Sequence, residues 1–208
     1  MGYTLYWRRK QELDAAKFKA ASEDVKFIFE ELRSIGIPMS GPKGSGSARA
    51  DSEKIAFNGT TECGHLRRRL GHTYPSDKAE GIDVKENTVV GPHYAGALVG
   101  ARACGGDCSG ESFVIERVYV PGDWETETGD GMYRQHCTTE YKPYDLAVAA
   151  ALIRLKHYLG GEICVDSDDG RITHMLDASA LCEKLFTKTS PFKLEPEEHS
   201  PVHAEING

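Results

Sequence analysis

The chain has 208 residues, 39% hydrophobic and 9% aromatic, which is enough to bury the core of one domain with embellishments. Its 25 Lys and Arg stand against 32 Asp and Glu, a net charge of −7 that leaves no basic footprint for duplex nucleic acid. No apolar run reaches membrane-spanning length, and MGYTLYWRRKQELD meets charges too early for an export signal, so the expected compartment is the cytoplasm with reduced cysteines.

In YTLYW, Tyr3, Leu5 and Trp7 alternate with Thr4 and Tyr6, the period of a strand with one buried face. From Asp14 onward Phe18, Ala21, Val25, Ile28, Phe29 and Leu32 recur at three- and four-residue steps. Gly36 and Pro38 then stop the helix. The following MSGPKGSGSARADSEK offers little to bury and reads as a mobile surface loop over 40–54. Ile55 and Phe57 mark a short strand, and Asn58-Gly59 behind it predicts a tight turn.

Residues 60–110 are irregular, with a strand expected at GALVGARA, and read as an insertion. The β-rich ESFVIERVYVPGDW and GMYRQHCTTE predict a hairpin with a long loop. A helix over Pro143–Leu159 follows, opened by Pro143 and closed by Gly160. Its small and apolar side chains occupy more than one face. EICVD is then a buried strand, THMLDASALCEKLF a third helix with Leu181 and Leu185 inward, and the proline-punctuated residues 187–208 a tail.

This order predicts a single α+β domain over 1–186, with insertion 60–110 and tail 187–208. Its helices would lie on one face of a mainly antiparallel sheet, with ferredoxin-like topology as the specific form. GYTLYW, IAFNG, ESF, KPYD and VDSDDG together resemble a family of small uncharacterised bacterial and bacteriophage proteins. The resemblance covers the first strand and helix, 54–59 and 111–170, and implies no activity.

Three sets of residues carry candidate chemistry. Cys63, His65, Cys104 and Cys108 would supply a tetrahedral structural zinc, the one cofactor the sequence suggests, with plain loop cysteines as the alternative. Asp166, Asp168 and Asp169 close a buried strand, where carboxylates converge on a divalent cation or a phosphorylated ligand. Asn58 is grouped with them as a ligand-binding candidate, and a solvated turn is the plainer reading.

His136, Glu140 and Asp145 are the acid–base candidates; strand alternation places Arg134, His136 and Thr138 on one face and Gln135, Cys137 and Thr139 on the other. A nucleophile pair from adjacent His136 and Cys137 is thereby excluded. The leading expectation is a non-catalytic binding or interaction module, such as a phage accessory or structural protein. It would engage a protein partner or self-associate, with no duplex nucleic acid and no membrane. The alternative is a metal-dependent enzyme acting on a phosphorylated or nucleotide ligand.

Overall fold

The computed structural model describes residues 3–34, 36–61, 107–167 and 175–186, with the backbone of 88–90, 93–94, 97–98 and 101–103. Within them the chain is α+β. Strand β1 (Thr4–Arg9) is the centre of a three-stranded antiparallel sheet, flanked by β9 (Tyr133–Thr138) and β10 (Ile163–Ser167). A second antiparallel sheet is formed by β2 (Arg49–Ala50), β3 (Lys54–Phe57) and β8 (Phe113–Glu116). Between 88 and 103, β4 (Thr88–Val90) pairs with β7 (Ala101–Ala103) and β5 (His93–Tyr94) with β6 (Ala97–Leu98).

Helices α1 (Ala15–Ser34), α2 (Asp145–Leu159) and α3 (Leu176–Leu185) complete the described elements. In α1 the expected stripe is the buried one. Asp14 caps its start by accepting the Lys17 N–H at 2.9 Å. Its end is closed by the Ile37 N–H to Leu32 O and Gly36 N–H to Arg33 O bonds, with Gly36 at φ 89°, a conformation glycine adopts without a Cβ penalty.

Helix α2 buries 12 of its 15 residues, so it lies inside the core rather than over it. It begins two residues after Pro143, with Tyr144 completing the preceding turn. Gly160 ends it at φ 57° by donating to Lys156 O. Between α1 and α2 the buried Arg154 pairs with Asp24 at 2.6 Å and lies against the Tyr158 and Phe186 rings. α3 is docked by Ala178, Leu181 and Cys182, all fully buried.

The two sheets and α1 meet through aromatic rings. Trp7 touches Phe113 at 5.2 Å between centroids, Phe113 touches Phe57 at 5.1 Å, and Phe57 meets Phe29 of α1 edge-on at 4.9 Å. At the far end of β1 the alternation that turns Leu5 and Trp7 inward also turns Arg9 inward, and it is fully buried. Its guanidinium donates to the carbonyls of Lys10 (2.9 Å), Gln11 (3.0 Å), Glu116 and Arg117 (2.9 Å). No carboxylate among the described residues forms an ion pair with it. Burial pulls the guanidinium down to about 10, so it stays charged at neutral pH and carbonyl dipoles take the place of a counter-ion.

Several expectations are corrected. β8 and β9 do not form a hairpin: they belong to different sheets, because the long connection over 117–132 imposes no register and β1 offers a better-matched apolar strand. Asn58-Gly59 is not a positive-φ turn; Asn58 instead bridges Ser40 in an extended pairing. The GALVGARA stretch holds two short strands, not one.

The loop over 40–54, expected to be mobile, is hydrogen-bonded. Gly41 N–H reaches Gly46 O at 3.0 Å, Ser40 and Asn58 exchange two backbone bonds of 2.9 Å, and the Asp51 carboxylate caps Glu53 and Lys54 N–H. Gly41 serves close packing, since a Cβ on it would sit 2.7 Å from Ser45 O. The ferredoxin-like form is not confirmed, since the strands are divided between two three-stranded sheets.

Two substitutions test this account. Ala151→Asp places an unpaired charge in a fully buried site of α2 and should destabilise the fold by about 3–5 kcal/mol in chemical denaturation; an unchanged midpoint would show that α2 is not internal. Arg9→Met keeps the bulk of the side chain but leaves its carbonyls without their charged donor. A loss of roughly 2–4 kcal/mol is expected, and Arg9→Lys should rescue it only partly, because one ammonium cannot span the same acceptors.

Candidate functional site

The faces of the main sheet are sorted by strand alternation. Leu5, Trp7, Cys137, Ile163 and Val165 turn inward, while Tyr6, Arg8, Arg134, His136, Thr138, Cys164 and Asp166 turn outward. Arg134 and His136 are exposed; Tyr6, Arg8, Cys164 and Asp166 are half-buried. The register aligns Asp166, Tyr6 and His136 in one transverse row and Cys164, Arg8 and Arg134 in the next. Residues separated by two strand spacings are about 10 Å apart, so Asp166 and His136 flank Tyr6 rather than touch each other.

The Arg134 guanidinium lies 4.8 Å from the centre of the Tyr6 ring, and the His136 ring packs at 6.0 Å on that same tyrosine. Arg8 is neutralised by Asp130. No carboxylate among the described residues pairs with Arg134, which leaves it available to an incoming anionic or aromatic group.

His136 finds its carboxylate in Glu111 and not in Glu140. Its Nε2 lies 3.5 Å from Glu111 Oε1, while Oε2 accepts the Thr138 N–H at 2.6 Å. The main chain of Glu111 reaches the other way. Its carbonyl accepts the Tyr144 hydroxyl at 2.8 Å and the Cys137 thiol at 3.4 Å, and its N–H donates to Thr138 O at 3.3 Å. One residue thus ties the outer face to the buried start of α2. Burial pushes both the Cys137 thiol and the Tyr144 hydroxyl far up, so neither supplies an anion at neutral pH.

Comparison with known protein families, curated proteins and solved structures found no match.

The remaining candidates are dispersed. Asp145 is buried at the first turn of α2 and accepts the Thr139 hydroxyl at 2.5 Å, away from His136. Glu140 is exposed, 3.7 Å from Lys142, on a turn where it and Tyr141 both have positive φ, 54° and 56°. Two consecutive non-glycine residues in that region are strained by about 1–3 kcal/mol each. The Tyr141 ring stacked on Tyr3 at 4.4 Å and the Thr139–Asp145 bond hold them there.

Asn58 is an internal bracket. Its amide donates to Gly110 O at 2.8 Å and its Oδ1 accepts the N–H groups of Gly59 (2.8 Å) and Gly110 (3.0 Å), joining the 40–44, 58–61 and 107–112 loops. Cys108 is buried on the last of these loops, whereas Cys63, His65, Cys104, Asp168 and Asp169 lie outside the described residues. Among the described residues no group of three His, Cys, Asp or Glu could hold a metal ion.

Sequence reasoning named His136 and Asp166 as candidates and put Arg134 on the face of His136, but did not bring Tyr6 or Glu111 to them. For Tyr6 the signal was present, since it is the polar-facing aromatic of an alternating strand. For Glu111 there was none, because only the fold brings it to His136.

Glu111→Ala should accelerate hydrogen exchange at the Thr138 amide and lower stability by about 1–2 kcal/mol, since a charge-assisted bond to a strand edge is lost. Glu111→Gln should restore much of both through its amide oxygen. Unaltered exchange at Thr138 in the alanine variant would contradict the bracket.

Proposed function

We propose that the chain is a non-catalytic binding module, with the outer face of β10–β1–β9 as its contact surface for a protein partner. The supporting observation is the Tyr6 ring packed by Arg134 and His136 of β9, with Asp166 across it in the same row. Tyr and Arg bury large area on association and dominate interface energetics, and here both stand on strands that need no ordering to bind.

The acid–base reading has less support. The His136 and Glu111 side chains are 56% and 41% exposed, so water screens their pairing, whereas catalytic dyads work in sites that exclude it. The nearby thiol and phenol, Cys137 and Tyr144, are buried and protonated. No helix among the described residues is long and apolar enough to cross a membrane.

The test is a comparison of immobilised wild type with Arg134→Glu/His136→Ala, two exposed positions that should leave thermal melting unchanged. A partner retained by wild type and lost from the variant is expected, and its binding should slow amide exchange in β1 and β9. Equal retention by both proteins would move the contact surface elsewhere.

A further inference from the structure

A second surface is built on the buried Arg9 junction. Among the described residues the large hydrophobic side chains left exposed are Phe27, Val118, Val120 and Trp124, and three of these four fall within 118–124. Val120 is 78% and Trp124 83% exposed, so nearly the whole indole faces water. A lone exposed valine is ordinary; an indole and two valines on one short segment are not.

The segment is anchored. Leu13 N–H donates to Arg117 O at 3.0 Å and Tyr119 N–H to Gln11 O at 2.8 Å, so 117–119 runs as an extended strip beside 11–13. Alternation along the strip turns Tyr119 toward the protein and Val118 and Val120 away. The Tyr119 ring lies 5.7 Å from the Arg9 guanidinium, and its hydroxyl donates to Glu125 at 2.5 Å. That same Glu125 oxygen accepts the Gly122 N–H at 2.7 Å, and Glu125 N–H returns to Gly122 O at 2.9 Å. Trp124 is thus displayed at the tip of a turn held by one carboxylate. Little loop entropy remains to be lost when a partner covers it.

The charge around this turn selects the partner. Between Arg117 and Arg134 the sequence has no Lys or Arg and carries Asp123, Glu125, Glu127 and Asp130. Among the described residues only Asp130 is matched by a cation, Arg8. We infer that Val118, Val120 and Trp124 form a docking surface for a protein face that presents an apolar pocket rimmed by Lys and Arg. An aromatic anchor within a ring of charge is the usual form of such a contact, and the opposite rim would steer its approach. The residues differ from those of the Tyr6 row, so the inference does not depend on that surface.

The probe is a synthetic peptide of alternating Lys and Leu, with an alternating Glu and Leu peptide as its control. The chain has two tryptophans, Trp7 fully buried and Trp124 exposed, so two indole N–H resonances report separately on the core and on this turn. The Lys peptide should shift the Trp124 resonance and leave Trp7 in place, and the Glu peptide should do neither. Trp124→Ala should weaken binding of the Lys peptide about thirtyfold or more, the hot-spot threshold, and Asp123→Lys/Glu127→Lys should weaken it with the fold intact.

Equal affinity in Trp124→Ala would mean that the peptide reads only the net charge of −7, and would overturn the proposal. So would Trp124-dependent dimerisation without peptide in light scattering, or Trp124-dependent binding to phosphatidylcholine vesicles, because a second copy or a lipid surface would then be the occupant.

Discussion

The structure depends on the burial of one cation. Arg9 ends the central strand of the main sheet, and its guanidinium holds carbonyls on both sides of a junction: Lys10 and Gln11 on its own segment, Glu116 and Arg117 at the end of β8. Without it the two three-stranded sheets would be joined at that end only by the strip over 11–13. A buried charge is costly in isolation, so the carbonyl groups must be in place before the charge is tolerable. The arrangement therefore specifies one relative placement of β1 and β8, while the Trp7–Phe113–Phe57–Phe29 contacts supply the apolar driving force. The same junction fixes Tyr119 and, through Glu125, the turn that carries Trp124. Core and surface share one framework.

What was legible in the sequence follows from how local each signal is. The α1 stripe, the Gly36 and Gly160 helix ends, and the opposite facing of His136 and Cys137 depend only on residue spacing, and each is found where spacing placed it. Arg9 was hidden because Arg8, Arg9 and Lys10 were read only as charges that come too early for an export signal. The parity of Leu5, Trp7 and Arg9 held the opposite information. Strand pairing was illegible for another reason: β9 is separated from β8 by a connection too long to set register, and its partner β1 lies at the other end of the chain. The Glu111–His136 pair is a consequence of that pairing and could not precede it. Asn58 and its glycine suggested a turn, yet the left-handed turn falls on Glu140 and Tyr141, where tertiary contacts with Tyr3 and Asp145 override local preference.

The edges of the main sheet limit what the proposed contact surface could bind by main-chain pairing. In β9 the odd-numbered residues turn their backbone groups toward β1, as the Thr139 N–H to Tyr3 O bond shows, so the even-numbered ones point out along the free edge. At one end Glu111 occupies both groups of Thr138; at the other, Thr128 N–H takes Met132 O at 2.7 Å. On β10 the Lys156 ammonium caps Ile163 O at 2.9 Å. An incoming strand would find only Arg134 and His136 open on β9, too short a run to register a peptide by main-chain bonds. In the proposed reading, recognition on this sheet would therefore fall to the side chains of the outer face. In that reading, specificity would come from the Tyr6 ring and the charges beside it.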